Sequence, residues 1–372
     1  CQMASALCRI GRADDALALL LPLRTWVDEH AEDALRMLWH GDWAVTLGSL
    51  GRLREAVQAY DAARAAARRA DLPDAEGRLM MNCAVSLRQC GQFDRALALA
   101  RAGQAQSSQD GNDATHRAIA RLVIARDECE TGCFGPALAA LEDILPQFES
   151  TGAAFWSQAT RMVLANLWLQ LGQVARATRL LDHDAPESPP WLLADRQLLR
   201  LDLAWCQQRR PPEGALQVAV EQALLDPQRG PGLRVRALRH LPAERVLADA
   251  HGLQRELAAT ERYGVAMALQ VHVARAALQA GRADQAAQAA VALLARFAEG
   301  FAPDAVYRAE AWWLASRALA GVGREAEARL AMAQGVQWVI QHALPQVPAP
   351  FIDSFLNRNL VNRELLAAAG AR

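Results

Sequence analysis

Apolar residues recur every three to four positions along this chain and almost nowhere every second one. In residues 53–70, Leu53, Val57, Tyr60 and Ala63 form one stripe, while Arg54, Glu55 and Arg64 fall off it. That is the period of a helix burying one face. Residues 113–130 and 191–208 follow the same rule. No sustained alternation of β-branched with polar residues occurs, so strands are expected to be nearly absent and the fold class all-α.

A longer period organises these helices. A glycine followed five positions later by alanine recurs at Gly11/Ala16, Gly51/Ala56, Gly91/Ala96, Gly132/Ala137, Gly172/Ala177, Gly281/Ala286 and Gly323/Ala328. The first five glycines are 40, 40, 41 and 40 residues apart, and the last two 42. Glycine adopts the left-handed backbone without a Cβ clash, so it ends one helix and lets the chain reverse. Seven residues before each glycine stand Ala4, Ala44, Ala84, Ala125, Ala165, Ala274 and Ser316, all small. Small residues on two facing helices, with a turn between, predict a closely packed antiparallel hairpin. About eight hairpins are expected, stacked as a solenoid.

The pattern weakens in the middle. Around Arg210 the turn glycine is missing, Pro211 and Pro212 open the next helix, and Ala215 takes the alanine place. Residues 226–232, with two prolines and two glycines nearby in 227–232, read as a breaker. Residues 233–241 and 242–260 read as a degenerate pair, and 182–190, with three prolines, as a loop. The expected organisation is an N-terminal array at 1–183 of four to five hairpins, a proline-rich hinge with a degenerate hairpin at 184–232, a C-terminal array at 233–343, and a capping helix and tail at 344–372. Only ten residues precede Gly11, so the first helix reads as truncated and the array as starting upstream. In the cap, Phe351, Phe355, Leu360, Leu365 and Leu366 are expected to cover the last hairpin, with Asn357, Arg358, Asn359 and Arg363 facing outward.

Composition narrows the function. Charged residues make up 22% and the net charge is −1, so no long-range field favours nucleic acid or an anionic membrane. No apolar run approaches the roughly 20 residues of a membrane span, and no secretory signal is visible; a cytoplasmic location is the expectation. The seven cysteines are odd in number and read as free thiols, mostly buried. Cys129 and Cys133 lack a second ligand pair at zinc spacing, and the eight histidines contain no His-Glu-x-x-His and no i, i+4 pair. With no nucleophile elbow or phosphate loop either, no catalytic residue, metal or cofactor is assigned and the chain does not read as an enzyme.

The Gly-x-x-x-x-Ala signature resembles the turn of a tetratricopeptide repeat, and the run Ala56, Tyr60, Ala63 is similar to that family's spacing in the second helix. The resemblance implies a right-handed α-α superhelix whose concave face, lined by the first helix of each hairpin, binds a protein or peptide. The period of 40 exceeds the family's usual 34. It resembles the longer repeats of bacterial regulators similar to the maltose-regulon transcription activator, where a solenoid follows a nucleotide-switch ATPase module. The ending Ser354-Phe-Leu-Asn-Arg-Asn-Leu-Val-Asn-Arg-Glu-Leu-Leu366 is similar to the closing segment of large bacterial signalling proteins. Heat-type repeats share the period but lack this glycine–alanine pairing.

Positions six and two residues before the repeat glycines lie four apart, on one helical face. They supply Arg126, Glu130, Asn166, Gln170, Arg275, Gln279, Arg317 and Gln89. Asn82 resembles the asparagine that grips peptide backbone or carboxylate in peptide-binding tetratricopeptide proteins. Amides pair with a main chain and arginine holds a carboxylate with two bonds. Of the ten tryptophans most are expected in the core, Trp39 and Trp43 together on one face. Of the neighbours Trp312 and Trp313 one must point away from the hairpin core, and Trp313 is the candidate ligand contact. Five arginines (Arg229, Arg234, Arg236, Arg239 and Arg245) stand near one acid, Glu244, and read as a solvated face beside a mobile loop. The leading function is thus a protein- or peptide-binding scaffold, the sensing region of a regulator, whose partners include domains of its own longer polypeptide. A small-molecule inducer receptor that changes curvature near 182–232 is the alternative. Direct nucleic-acid or membrane contact is not expected.

Overall fold

The computed structural model describes residues 2–107, 114–182, 188–207, 214–226 and 229–370, and among these no strand occurs. Cys1, His183, Pro211 and Pro212 lie outside the described residues. Cα packing divides the chain into two compact units, one of residues 1–127 with 256–264, the other of 128–255 with 265–372.

The first unit holds α1 (Gln2–Arg9), α2 (Ala13–Leu20), α3 (Arg24–His30), α4 (Asp33–Ser49), α5 (Leu53–Arg69), α6 (Pro73–Gln89), α7 (Phe93–Ser107) and most of α8 (Ala114–Thr131). Helices α4 with α5 and α6 with α7 pack as antiparallel hairpins, and α5 packs on α6 to stack one pair on the next. Trp39 and Trp43 stack at 5.3 Å inside this core, as the shared face predicts. Residues 256–264 join the same unit at the α4–α5 turn, where Glu261 N–H donates to Gly51 O at 3.2 Å and Arg54 N–H donates to the Glu261 carboxylate at 2.6 Å.

The second unit continues through α9 (Phe134–Ser150), α10 (Ala154–Gln170), α11 (Val174–Leu181), α12 (Pro190–Cys206), α13 (Ala215–Leu224), α14 (Gly230–Ala237), α15 (Ala243–Ala258), α16 (Tyr263–Gln279), α17 (Ala283–Ala298), α18 (Arg308–Ala320), α19 (Glu325–Gln337), α20 (Ile352–Asn357) and α21 (Leu360–Ala368). Here α10 packs on α9 and α11, α12 on α13, and α18 on α17 and α19.

The architecture is the tetratricopeptide-like helical hairpin array that the spacing predicts, and the seven turns form for the predicted reason. All seven repeat glycines have φ between 70° and 89°. The residue after each glycine donates its N–H to the carbonyl five positions back, as Gln173 does to Trp168 at 2.7 Å and Arg282 to Ala277 at 2.8 Å, the bond that closes a helix end through a left-handed residue. The fourteen small positions around these turns are all buried, none more than 5% exposed.

In the middle, Gly214, with φ 73°, stands directly before Ala215 as the N-cap of α13, while residues 208–213, where a repeat turn would fall, lie outside the described residues. Leu198, Leu201, Ala215, Ala219 and Ala237 then share one apolar cluster, tying α12, α13 and α14 together.

At the C-terminal end α19 runs on into a π-helical segment, Trp338–Ala343, and α21 packs across α18 and α19. The intervening chain returns to the turns of the unit's own early hairpins. His342 Nε2 lies 2.7 Å from Thr131 O, Ser354 Oγ donates to Leu171 O at 2.7 Å, and Gln173 Nε2 donates to Ser354 Oγ at 2.7 Å. Asn359, expected outward, is buried, because it caps α21 through its Oδ1 and donates its Nδ2 to Gln170 O at 2.8 Å. A helix cap facing a neighbouring turn satisfies orphan donors and acceptors on both elements at once.

Candidate functional site

The return of the C-terminal chain leaves a cleft within the second unit, with a cavity volume of about 100 Å³. Its walls come from the ends of α8 and α10, from α12, α14, α18 and the α20–α21 corner. Glu130, Asn166, Gln170, Trp205, Tyr307 and Arg358 line its sides. Asn166 and Gln170 face it together because they are four residues apart on α10.

The floor is a lattice of charges. Arg239 Nη1 donates to Glu310 at 3.1 Å, and Arg275 Nη2 donates to the same carboxylate at 2.6 Å. Arg236 Nη2 donates to Asp202 at 2.7 Å and its Nη1 to Asp195. Arg239 also lies over the Trp205 ring at 4.7 Å, a cation–π contact strengthened by partial burial. Burial would raise the Glu310 pKa, but Arg239 and Arg275 outweigh it and hold the carboxyl below its ordinary range. Asp202 is likewise held down, burial being outweighed by Arg236 above all. Burial, with Arg275 and Arg239 beside it, pushes His272 well down, so it stays neutral. Its Nδ1, 3.0 Å from Arg275 Nη1, is then the acceptor. Burial also drives the Cys206 thiol up to about 11, leaving it protonated and a poor nucleophile at neutral pH.

The arginine-rich stretch was expected as a solvated face, and here the structure differs. Arg236 and Arg239 sit in the floor with little exposure, at 14% and 17% of the side chain, because their counter-charges come from α12 and α18. The local charge excess was the signal: five arginines beside one acid need partners from elsewhere in the chain.

The ten candidates part company in the structure. Glu130, Asn166 and Gln170 line the cleft, and Arg275 braces it from beneath through Glu310. Gln279 and Arg317 are exposed, and Arg317 covers the half-buried Trp313 ring at 5.2 Å. Asn82 and Gln89 are exposed on α6 of the first unit and Arg126 on α8. Asp202, Trp205 and Glu310 escaped the sequence reading, which placed Arg239 on a solvated face and Arg358 on the outer side of the cap. Asp202 and Trp205 sit on α12 beside the irregular stretch, where register could not be carried across.

Asn166, Gln170 and Arg358 make no side-chain hydrogen bond or ion pair among the described residues. Beneath them, Asp202, Arg236, Arg239, Arg275 and Glu310 are engaged with one another. Six cysteines are described and all are free thiols. Among the described residues no cluster of three or more His, Cys, Asp or Glu could hold a metal ion, and no helix is long and apolar enough to cross a membrane.

A family model for the tetratrico peptide repeat matches residues 1–69 and 44–159; of the cleft residues only Glu130 falls inside that span. No curated protein matches the chain. Among solved structures, a Rap protein complexed with Competence and Sporulation Factor is similar, at 11% identity and a TM-score of 0.48 over 100% of this chain and 98% of that one.

Proposed function

We propose that this chain is a repeat scaffold that binds a protein or peptide, and that the cleft of its second unit takes a carboxylate from an extended partner. The observation that carries this reading is the set of three unengaged polar side chains, Asn166, Gln170 and Arg358, around one cleft. Arg358 presents a planar fork matched to a carboxylate. The two amides, each donor and acceptor, match a peptide main chain. The floor charges neutralise one another and offer the guest no open counter-ion. At about 100 Å³ the cavity has room for several waters by the usual ~10–15 Å³ apiece, hence for one side chain or a chain end. On the sequence resemblance, the setting is a larger bacterial transcription or signalling regulator in which this scaffold is the interaction region.

The test starts from peptides selected out of a random displayed library on the full chain, their affinity then read by fluorescence anisotropy. Arg358→Ala is expected to weaken binding about 10- to 100-fold, the worth of a charge-assisted pair, and Asn166→Ala with Gln170→Ala at least as much. Amidating the peptide C-terminus separates a terminal carboxylate from an acidic side chain. Selected peptides whose affinity is unchanged in both variants would overturn the reading.

A further inference from the structure

Of the ten tryptophans in the chain only Trp26 and Trp205 are exposed, at 53% and 46%. Tryptophan ordinarily buries most of its large ring, so an exposed one calls for a cause. Trp26 stacks on His30 at 6.0 Å with 16° between planes. Trp205 stands in the last turn of α12 and borders the cleft.

Trp205 is braced from one side by charge. The Arg239 guanidinium lies over its ring at 4.7 Å. Arg239 is in turn fixed by Glu310 at 3.1 Å and lies 3.7 Å from Asp202, which sits three residues before Trp205 on α12. Residues three apart on a helix share a face, so α12 supplies both the indole and the carboxylate that helps hold the cation behind it. Among the described residues no aromatic ring packs on Trp205. The indole is thus fixed on one face by a mostly buried arginine and left without a ring partner on the other.

A flat side chain held in this way loses little conformational freedom when something stacks on it, and tryptophan is enriched among the residues that carry most of the energy of an interface. Electrostatics selects the guest. The cation that an indole face attracts is already supplied by the chain itself, in Arg239. A neutral aromatic ring gains from offset stacking without adding like charge.

From this we infer that Trp205 is a stacking platform for an aromatic side chain of the bound peptide. Trp205 and Arg358 border the same small cavity, so the aromatic residue falls within about two positions of the carboxylate on an extended chain advancing ~3.3 Å per residue. The inference rests on the carboxylate reading of the cleft and narrows the partner. It is a segment with Phe, Tyr or Trp close to an acidic side chain or to the chain's own C-terminus.

The test uses the peptides selected on the full chain from the displayed library. Fluorescence anisotropy gives their affinities for wild type, Trp205→Ala, Trp205→Phe and Arg358→Ala. The selected sequences should carry an aromatic residue at the stated spacing from an acid or the C-terminus. Exchanging that residue for alanine, or Trp205→Ala in the protein, is expected to weaken binding at least ~10-fold, the scale of an interface tryptophan. Trp205→Phe keeps a flat ring and should stay within ~3-fold of wild type. In Trp205→Ala the peptide exchange should cost less than ~2-fold, since coupled contacts are not lost twice. That coupling separates stacking from a general loosening around Arg239. Affinity lost in Arg358→Ala but unchanged in Trp205→Ala would overturn this inference and leave the carboxylate reading standing. A peptide exchange that costs as much in Trp205→Ala as in wild type would overturn it too. So would one that costs nothing in wild type, whether or not Trp205→Ala folds.

Discussion

Alanine at Gly172 is expected to destabilise the protein by about 3 kcal/mol or more, and alanine at Gly281 by only ~1–2 kcal/mol, although both sit at the same place in the repeat. Their φ angles are nearly equal, 72° and 70°, so the strain of a left-handed alanine is common to both. What differs is the space. Nothing lies within 4 Å of a Cβ on Gly281, whereas one on Gly172 would stand 2.3 Å from the backbone oxygen of Ser354. Backbone cannot swing aside as a side-chain tip can. The docked chain would have to lift, releasing the Ser354 and Asn359 bonds to the α10 turn and uncovering Phe355, which is fully buried. Denaturant midpoints compare the two variants, and hydrogen exchange across residues 352–368 checks the cause. Equal losses at the two glycines would mean that this docking contributes little.

Glu310→Ala is expected to cost ~3–5 kcal/mol, the range for removing one partner of a buried ion pair. The carboxylate is 3% exposed and serves two arginines, so its loss leaves Arg239 and Arg275 facing each other with reduced compensation. Adding Arg275→Met should recover part of the loss. The effect also has a direction in pH. Because the folded pKa of Glu310 is depressed, its contribution is complete above the unfolded value of about 4.3 and is lost as pH falls through the lower folded one. The gap between wild type and Glu310→Ala should therefore be wide at pH 7 and narrow in strong acid. A gap that is small at pH 7, or constant with pH, would show that Glu310 is not the keystone of the lattice.

The hairpins were legible because their cause is local. A left-handed turn needs glycine, a close crossing needs alanine, and both recur at fixed offsets along the chain. Gly214 stands outside this rule, since it precedes a helix instead of ending one. The cleft was only half legible. Helical spacing put Asn166 and Gln170 on one face, and the structure brings them together with Glu130. Nothing in the spacing brings Glu310 and Asp202 together through Arg239, and Arg358 joins the cleft only because the chain between 338 and 366 folds back over turns some two hundred residues earlier. Charge offered one clue, the unbalanced arginines around Arg236 and Arg239. Trp313 was chosen over Trp312 for a ligand contact. The structure leaves Trp313 half-buried under Arg317 and stacks Trp312 on Phe297.

Hydrogen exchange of the full chain with and without a library-selected peptide tests the carboxylate cleft most directly. Protection is expected in the peptides that carry Asn166 and Gln170, Asp202, Arg236 with Arg239, and Arg358, and it should vanish in Arg358→Ala. Protection confined to residues 53–107, or a bound peptide that leaves all four cleft segments exchanging as before, would contradict it.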